Sequence, residues 1–292
     1  MAMVSKDAVW VQPQAYFGIL HQHIKELKVE TGTLGAMIDT WSKIEVGNPV
    51  TKLSPSESKL TLENGKELSY KALVLGAGFD HSTSRIEGLA EMEAEHERNN
   101  TFVHALDDKG RVNRNWYNGW YVRGGDLINY SPACPYKGEG TDFYSLYYES
   151  IQRQDRLLQG AAAGTKVCYF TPNKFIYQFP YANEFALEEC AKRGIEVNFG
   201  WELLSVREEA YAKIATFRNV DTGETLEKDY EAATINPPSQ QHQFILDSGV
   251  CDSTGMVDVN RYTLQHNRFE NIFAIGDCIG GETTRTYTGA IH

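Results

Sequence analysis

The chain has 292 residues, of which 41% are hydrophobic and 23% charged, and 28 basic against 39 acidic side chains leave a net charge of −11. That length holds one large or two medium domains, and the acidic balance excludes a nucleic-acid backbone as partner, since such binding needs clustered Lys and Arg. Mean hydropathy is −0.43, and no run of about 18 apolar residues exists to span a bilayer as a helix.

In chain order, Met1 to Val9 lacks an apolar core segment, so no secretory signal is expected. Residues 14–28 read as a helix. Residues 58–71 read as a hairpin: Lys59-Leu-Thr-Leu alternates, Glu63-Asn64-Gly65 is turn chemistry, and a second strand follows. Ala72-Leu-Val-Leu-Gly-Ala-Gly78 reads as a strand buried in a parallel sheet. Residues 80–122 are polar and irregular, with helical turns. Asp126 to Tyr130 is the next buried strand, followed by a loop carrying Pro132, Cys134, Pro135, Gly138 and Gly140. Asp142 to Gln159 has a helical pattern with Phe143, Leu146, Tyr147 and Ile151 on one face. Lys166 to Phe170 is a strand, Tyr181 to Arg193 an amphipathic helix closed by Gly194, and Glu196 to Phe199 a strand. This alternation predicts a parallel α/β unit. A meander follows, with Ala215 to Val220 turning at Asp221-Thr-Gly223 and returning through Thr225 to Lys228. Ala232 to Ile235 is a short buried strand stopped by Pro237-Pro238, and Asn271 to Cys278 is a buried strand ending in Gly-Asp.

The strongest site signal is Gly276-Asp277. A strand that ends in Gly-Asp can set a carboxylate at the carboxyl edge of a parallel sheet, where ligands bind in such folds. The carboxylate can accept hydrogen bonds from ribose or ribityl hydroxyls, and glycine admits backbone close to the ligand. The alternative is a strand-end turn in which the Asp caps backbone. Thr284 and Arg285, in Thr283-Thr-Arg-Thr286, open a helix whose N-terminus can face a phosphate or flavin carbonyl. Gly76 and Gly78 mark a further close approach, although no complete GxGxxG occurs in the chain. Among the five cysteines, Cys134 lies in a loop beside Lys137, whose ammonium would favour the thiolate; the alternative is a plain loop cysteine. Cys168, Cys190 and Cys278 read as core. The cysteines are scattered, odd in number and without a CxxC pair, which favours a reducing, intracellular compartment and gives no zinc signature. The histidines are dispersed, so no metal is expected. Sequons at Asn99 and Asn129 read as chance triplets.

The order of these pieces, from about Gly32 to Ile291, resembles the sulfide:quinone oxidoreductase family, with related flavocytochrome c sulfide dehydrogenases and type II NADH dehydrogenases. Leu73-Val-Leu-Gly-Ala-Gly78 resembles the family's strand re-entering the FAD domain, and Ile235-Asn-Pro-Pro238 its Pro-Pro segment. Val257-Asp-Val259 with Thr263-Leu-Gln-His266 resembles the mitochondrial type. Phe273-Ala-Ile-Gly-Asp277 resembles the second FAD-binding motif, and Thr283 to Thr286 the family's helix start. The resemblance implies FAD held at Gly76, Gly78, Gly276, Asp277, Thr284 and Arg285, a quinone or cytochrome acceptor, two redox cysteines, a mitochondrial location and peripheral membrane association. Three departures accompany it. The first strand–GxGxxG–helix cradle is expected to be missing, because the chain begins near the second strand. Gly138 stands where the first redox cysteine belongs, with Cys134 four positions away. The second redox cysteine and the membrane-docking helices are expected beyond His292.

The expected fold is therefore α/β, of the parallel-sheet FAD/NAD(P)-binding type, with two interleaved dinucleotide-binding-like domains. Residues 1–122 and 239–292 form a remnant FAD-binding domain, and 123–238 an NADH-domain-like unit. Two functional readings stay open: a sulfide:quinone oxidoreductase-like FAD-dependent scaffold impaired for sulfide chemistry, and a non-catalytic accessory subunit held among other chains of a larger, mitochondrial assembly. A soluble NAD-linked dehydrogenase is set aside, since no second GxGxxG exists.

Overall fold

In the computed structural model the described residues are 2–5, 9–11, 31–33, 43–78, 80–103, 124–136 and 165–280. The expected helices at 14–28 and 142–159, and the segment at 283–286, lie outside them. The described chain divides into two units. One takes the described residues up to Asp80 and from Ser239 onward, the other those from His81 to Pro238.

In the first unit β1 (Ala2–Ser5) pairs in parallel with β4 (Lys43–Val46), and β2 (Val9–Val11) pairs antiparallel with β3 (Thr31–Thr33). Strands β5 (Val50–Ser54), β6 (Lys59–Leu62) and β7 (Glu67–Ser69) form an antiparallel sheet. The β6–β7 register, Leu60 opposite Leu68 and Thr61 opposite Glu67, is the expected hairpin, with its turn closed by Gly65 N–H donating to the Leu62 carbonyl at 2.9 Å. Strand β8 (Leu73–Leu75) follows, then β9 (Asp80–His81), where the chain leaves this unit.

The second unit opens with α1 (Leu89–Ala94), α2 (His96–Asn99) and β10 (Thr101–Val103). Strands β11 (Gly125–Tyr130) and β12 (Thr165–Thr171), helix α3 (Pro180–Lys192) and strand β13 (Glu196–Phe199) continue it. The antiparallel meander β14 (Trp201–Glu209), β15 (Ala212–Asn219) and β16 (Thr225–Tyr230) leads into β17 (Ala232–Ile235). Five strands form an all-parallel sheet in the order β10-β17-β11-β12-β13. Strand side chains alternate, so the sheet feeds two cores. Ile128, Tyr130, Cys168, Phe170, Ala233 and Ile235 pack against Leu203, Val206, Ala215, Phe217 and Tyr230 of the meander and Leu89 and Met92 of α1. Leu127, Val167, Tyr169 and Ala232 pack on the other face with Ala186 and Cys190 of α3. Burial on both faces is why these strands read as continuous apolar runs rather than as alternating ones.

The chain re-enters the first unit through β18 (Ser239–Gln240), α4 (Gln243–Leu246) and β19 (Ile272–Ala274). Strand β19 lies parallel to β8, with Ile272, Phe273 and Ala274 opposite Leu73, Val74 and Leu75. Leu53, Leu60, Leu75, Ile245, Val250, Val257, Ile272 and Ala274 share its core.

Two expectations need correction. Strand 72–75 is not buried on both faces: Leu75 is buried, but Val74 is 59% exposed, as is Ile275 beyond β19 at 47%. Among the described residues β8 and β19 make a two-stranded sheet with one face on the core. Within 80–103 the expected helical turns are present at Thr83–Arg85, α1 and α2, but Thr101–Val103 hydrogen-bonds as an edge strand beside β17. With that pairing the division between units falls at 80/81 and 238/239, against 122/123 and 238/239 in the sequence expectation.

Candidate functional site

Adjacent parallel strands deliver their following loops to one edge. The Ile275 N–H donates to the Leu75 carbonyl at 2.9 Å, so the β8–β19 ladder extends one rung past Ala274 before the chains turn away. The segments that emerge are Gly76-Ala77-Gly78 and the 3-10 turn Gly276–Cys278. Of the six sequence-selected cofactor positions, this edge brings Gly76, Gly78, Gly276 and Asp277 together; Thr284 and Arg285 lie outside the described residues.

Gly78 has φ +64° and Gly276 φ +74°, a region where side-chain-bearing residues are strained, and a Cβ on either would meet nothing within 4 Å. Backbone conformation therefore selects glycine, and the space ahead of both is open. Asp277, half-buried, lies in the first turn after β19, next to Gly276. Two glycines with open approaches and a carboxylate at the carboxyl edge of parallel strands fit a hydroxyl- and phosphate-bearing cofactor.

Beneath the edge lies Cys278, fully buried, with its thiol directed to the Ile275 and Leu75 carbonyls at 3.3 and 3.6 Å. Burial lifts the thiol above the usual cysteine range, while the backbone amides of Gly78 and Ala77 pull the other way. Two further residues, absent from the sequence expectation, bind the loops. Gln241 is buried, and its amide donates to the Cys278 carbonyl at 3.2 Å. His242 Nε2 donates to the Ala77 carbonyl at 3.0 Å, with its ring stacked on Phe244. The only sequence signal was a polar run after Pro237-Pro238.

In the other unit Cys134 lies in the loop after β11, and its bond to Pro135 is cis. It is partly exposed and in no disulfide, and its N–H donates to Asn173 Oδ1 at 3.1 Å. Asn173 also donates to the Pro132 carbonyl and to Thr171 Oγ1, both at 2.9 Å, tying the ends of β11 and β12 together. Lys137, expected beside Cys134, and Gly138 lie outside the described residues. Burial pushes the thiols of Cys168, Cys190 and Cys251 up to about 11, so these three stay protonated near neutrality. For Cys168 the Lys228 ammonium opposes that shift, whereas Glu196 and Asp126 add to it. Asn99 and Asn129 are 1% and 3% exposed, which excludes a glycan at either sequon. Among the described residues no cluster of three or more His, Cys, Asp or Glu is placed to hold a metal, and no helix is long and apolar enough to cross a membrane.

A profile of the pyridine nucleotide-disulphide oxidoreductase family matches residues 11–292. The mitochondrial sulfide:quinone oxidoreductase of Schizosaccharomyces pombe is 27% identical over 251 residues, covering 82% of this chain and 50% of that protein. The chain thus spans about half the length of that relative. A chain in the mitochondrial ATP synthase F1Fo composite tetramer of Tetrahymena thermophila superposes with a TM-score of 0.82 at 23% identity, over 96% of this chain and 66% of that one. The sulfide:quinone oxidoreductase of Aquifex aeolicus superposes with a TM-score of 0.73 at 15% identity, over 97% and 64%. The fold is that of the FAD/NAD(P)-binding oxidoreductases, with a five-stranded parallel sheet in the second unit.

Proposed function

The chain belongs to the pyridine nucleotide-disulphide oxidoreductase family, and on that premise we propose that it is a FAD-binding relative of the sulfide:quinone oxidoreductases that has lost their sulfide chemistry. The observation carrying the flavin part is the edge where Gly76, Gly78, Gly276 and Asp277 meet beyond two adjacent parallel strands. Gly78 and Gly276 admit the cofactor to the backbone. Asp277 accepts hydrogen bonds from its sugar or ribityl hydroxyls, and Thr284 and Arg285 contribute donors to its phosphate or ring carbonyl. FAD, when bound, supplies two-electron redox chemistry; the chain's part is to bind and orient it, with a quinone as the acceptor its relatives favour.

The loss of sulfide chemistry is supported by Gly138, which the resemblance sets where the first redox cysteine belongs, and by three thiols that burial keeps protonated. The test is the visible spectrum of the purified protein, with its bound partners, beside that of Asp277→Ala. A flavin band that weakens in the variant, with FAD affinity down roughly tenfold to a hundredfold as for one lost hydrogen bond to a charged group, supports the reading. Unchanged flavin content in Asp277→Ala refutes the site, and sulfide-dependent quinone reduction refutes the loss of activity.

A second reading is favoured by one observation: the 0.82 superposition on a chain of a mitochondrial ATP synthase assembly. On this reading the chain is a non-catalytic accessory subunit of a mitochondrial complex. Co-migration with a large complex on a native gel, without a flavin spectrum, is its expected signature.

A further inference from the structure

The loops at the carboxyl edge of β8 and β19 are tied to each other by two consecutive side chains that belong to neither. We propose that Gln241 and His242 form a staple that sets the gap between the Gly76–Gly78 loop and the Gly276–Cys278 turn, and thereby the affinity for flavin. The inference rests on the flavin reading above.

The geometry has four parts. Gln241 Nε2 donates to the Cys278 carbonyl at 3.2 Å, which fixes the turn carrying Asp277. The Gln241 Oε1 accepts the His242 N–H at 3.1 Å, which locks the two residues to each other. His242 Nε2 donates to the Ala77 carbonyl at 3.0 Å, which fixes the glycine loop. Phe244, stacked on the imidazole at 6.0 Å between centroids, holds the ring in that orientation. Gly78 and Gly276 have open space ahead of them, so a side chain packed at either position does not set the gap. Loops with open approaches and glycine backbones cost entropy to order when a ligand binds. Side chains that fix them beforehand lower that cost, and a shift of about 1 Å in such a site is enough to lose affinity. Gln241 and His242 bond only backbone carbonyls of the two loops in this arrangement, so they are positioning residues.

The full 292-residue chain is stripped of flavin and titrated with FAD by fluorescence. Amide hydrogen exchange at residues 76–78 and 278–280 is measured in the stripped state. The variants are His242→Phe, which keeps the stacked ring but removes the donor, and His242→Gln, which restores an amide donor at the reach of Nε2. Expected are faster exchange at residues 76–78 and roughly fivefold weaker FAD binding in His242→Phe, the loss that one neutral hydrogen bond represents. His242→Gln should return both to wild-type values, with the melting temperature of the stripped protein unchanged across the three. Gln241→Met should speed exchange at residues 278–280 instead. If wild type binds FAD and His242→Phe binds it equally well, the staple is overturned. If exchange is unchanged in both His242→Phe and Gln241→Met, it is overturned whatever the flavin result. If wild type takes up no FAD while exchange still responds, the flavin reading fails and the staple stands.

Discussion

His266 illustrates how much a single ring can hold. Its Nδ1 accepts the N–H groups of Arg268 and Phe269 at 2.9 and 3.2 Å, and its Nε2 donates to the Val250 carbonyl at 3.0 Å. Only the neutral imidazole, with its proton on Nε2, makes all three bonds. Burial holds its pKa below the usual value, Arg268 adds to this, and the Val250 carbonyl and Asp258 oppose it. With the folded pKa depressed, the unfolded chain binds the proton more readily. The stability from His266 is therefore complete above the unfolded value of about 6.5 and is lost as pH falls from there through the folded pKa. Urea midpoints of wild type should drop between pH 7.5 and 5.5, and His266→Gln, weaker at pH 7.5, should drop less over that interval. Equal slopes would refute the assignment. The sequence marks the segment Thr263 to His266 but not this role, which arises from the Val250 carbonyl folding back onto the ring. The same limit explains why Gly276 and Asp277 were legible while His242 was not. A Gly-Asp pair at a strand end is written locally, whereas the His242–Ala77 bond joins residues 165 positions apart.

Elements were legible where one side-chain period held throughout. Strands β11, β12 and β17 read as short apolar runs because each is covered on both faces, and α3 because its amphipathic pattern is closed by Gly194. The strands that were missed break the period. In β14 a register shift between Leu203 and Ser205 interrupts the alternation, and in β5 one lies between Val50 and Lys52. Strand β10 is three residues long and becomes a strand only through its pairing with β17. The meander, half legible, is held to the central sheet by aromatic packing. Phe217 of β15 stacks on Phe170 of β12 with centroids 4.1 Å apart and planes 16° apart, and both side chains are fully buried. Phe217→Ala removes a buried ring between two layers and should destabilise the protein by about 3–5 kcal/mol in chemical denaturation. Phe217→Leu, which keeps much of the volume but loses the stacking, should cost less. A loss under about 1 kcal/mol in Phe217→Ala would mean that the meander does not depend on this contact.

At the scale of the whole chain, the α/β alternation and the parallel order were written in the sequence. The division at 80/81 was not, because it depends on where Thr101–Val103 pairs. All the candidate flavin contacts among the described residues, and the staple, fall in the unit formed by residues before 81 and after 238. A ligand stabilises only those openings that release it, by about 2.7 kcal/mol at a hundredfold excess over its dissociation constant, and local units open separately from global unfolding. At that FAD concentration, amides in β5 to β8 and β19 that exchange through opening of the first unit should slow roughly a hundredfold. Amides of β11, β12 and β17 that exchange through local opening of the five-stranded sheet should not change. Hydrogen exchange with mass-spectrometric peptide resolution reads both sets in one experiment. Slowing confined to the first set locates the flavin in that unit without reference to any activity. Slowing confined to the five-stranded sheet would move the cofactor to the other unit, and with it the assignment of Asp277.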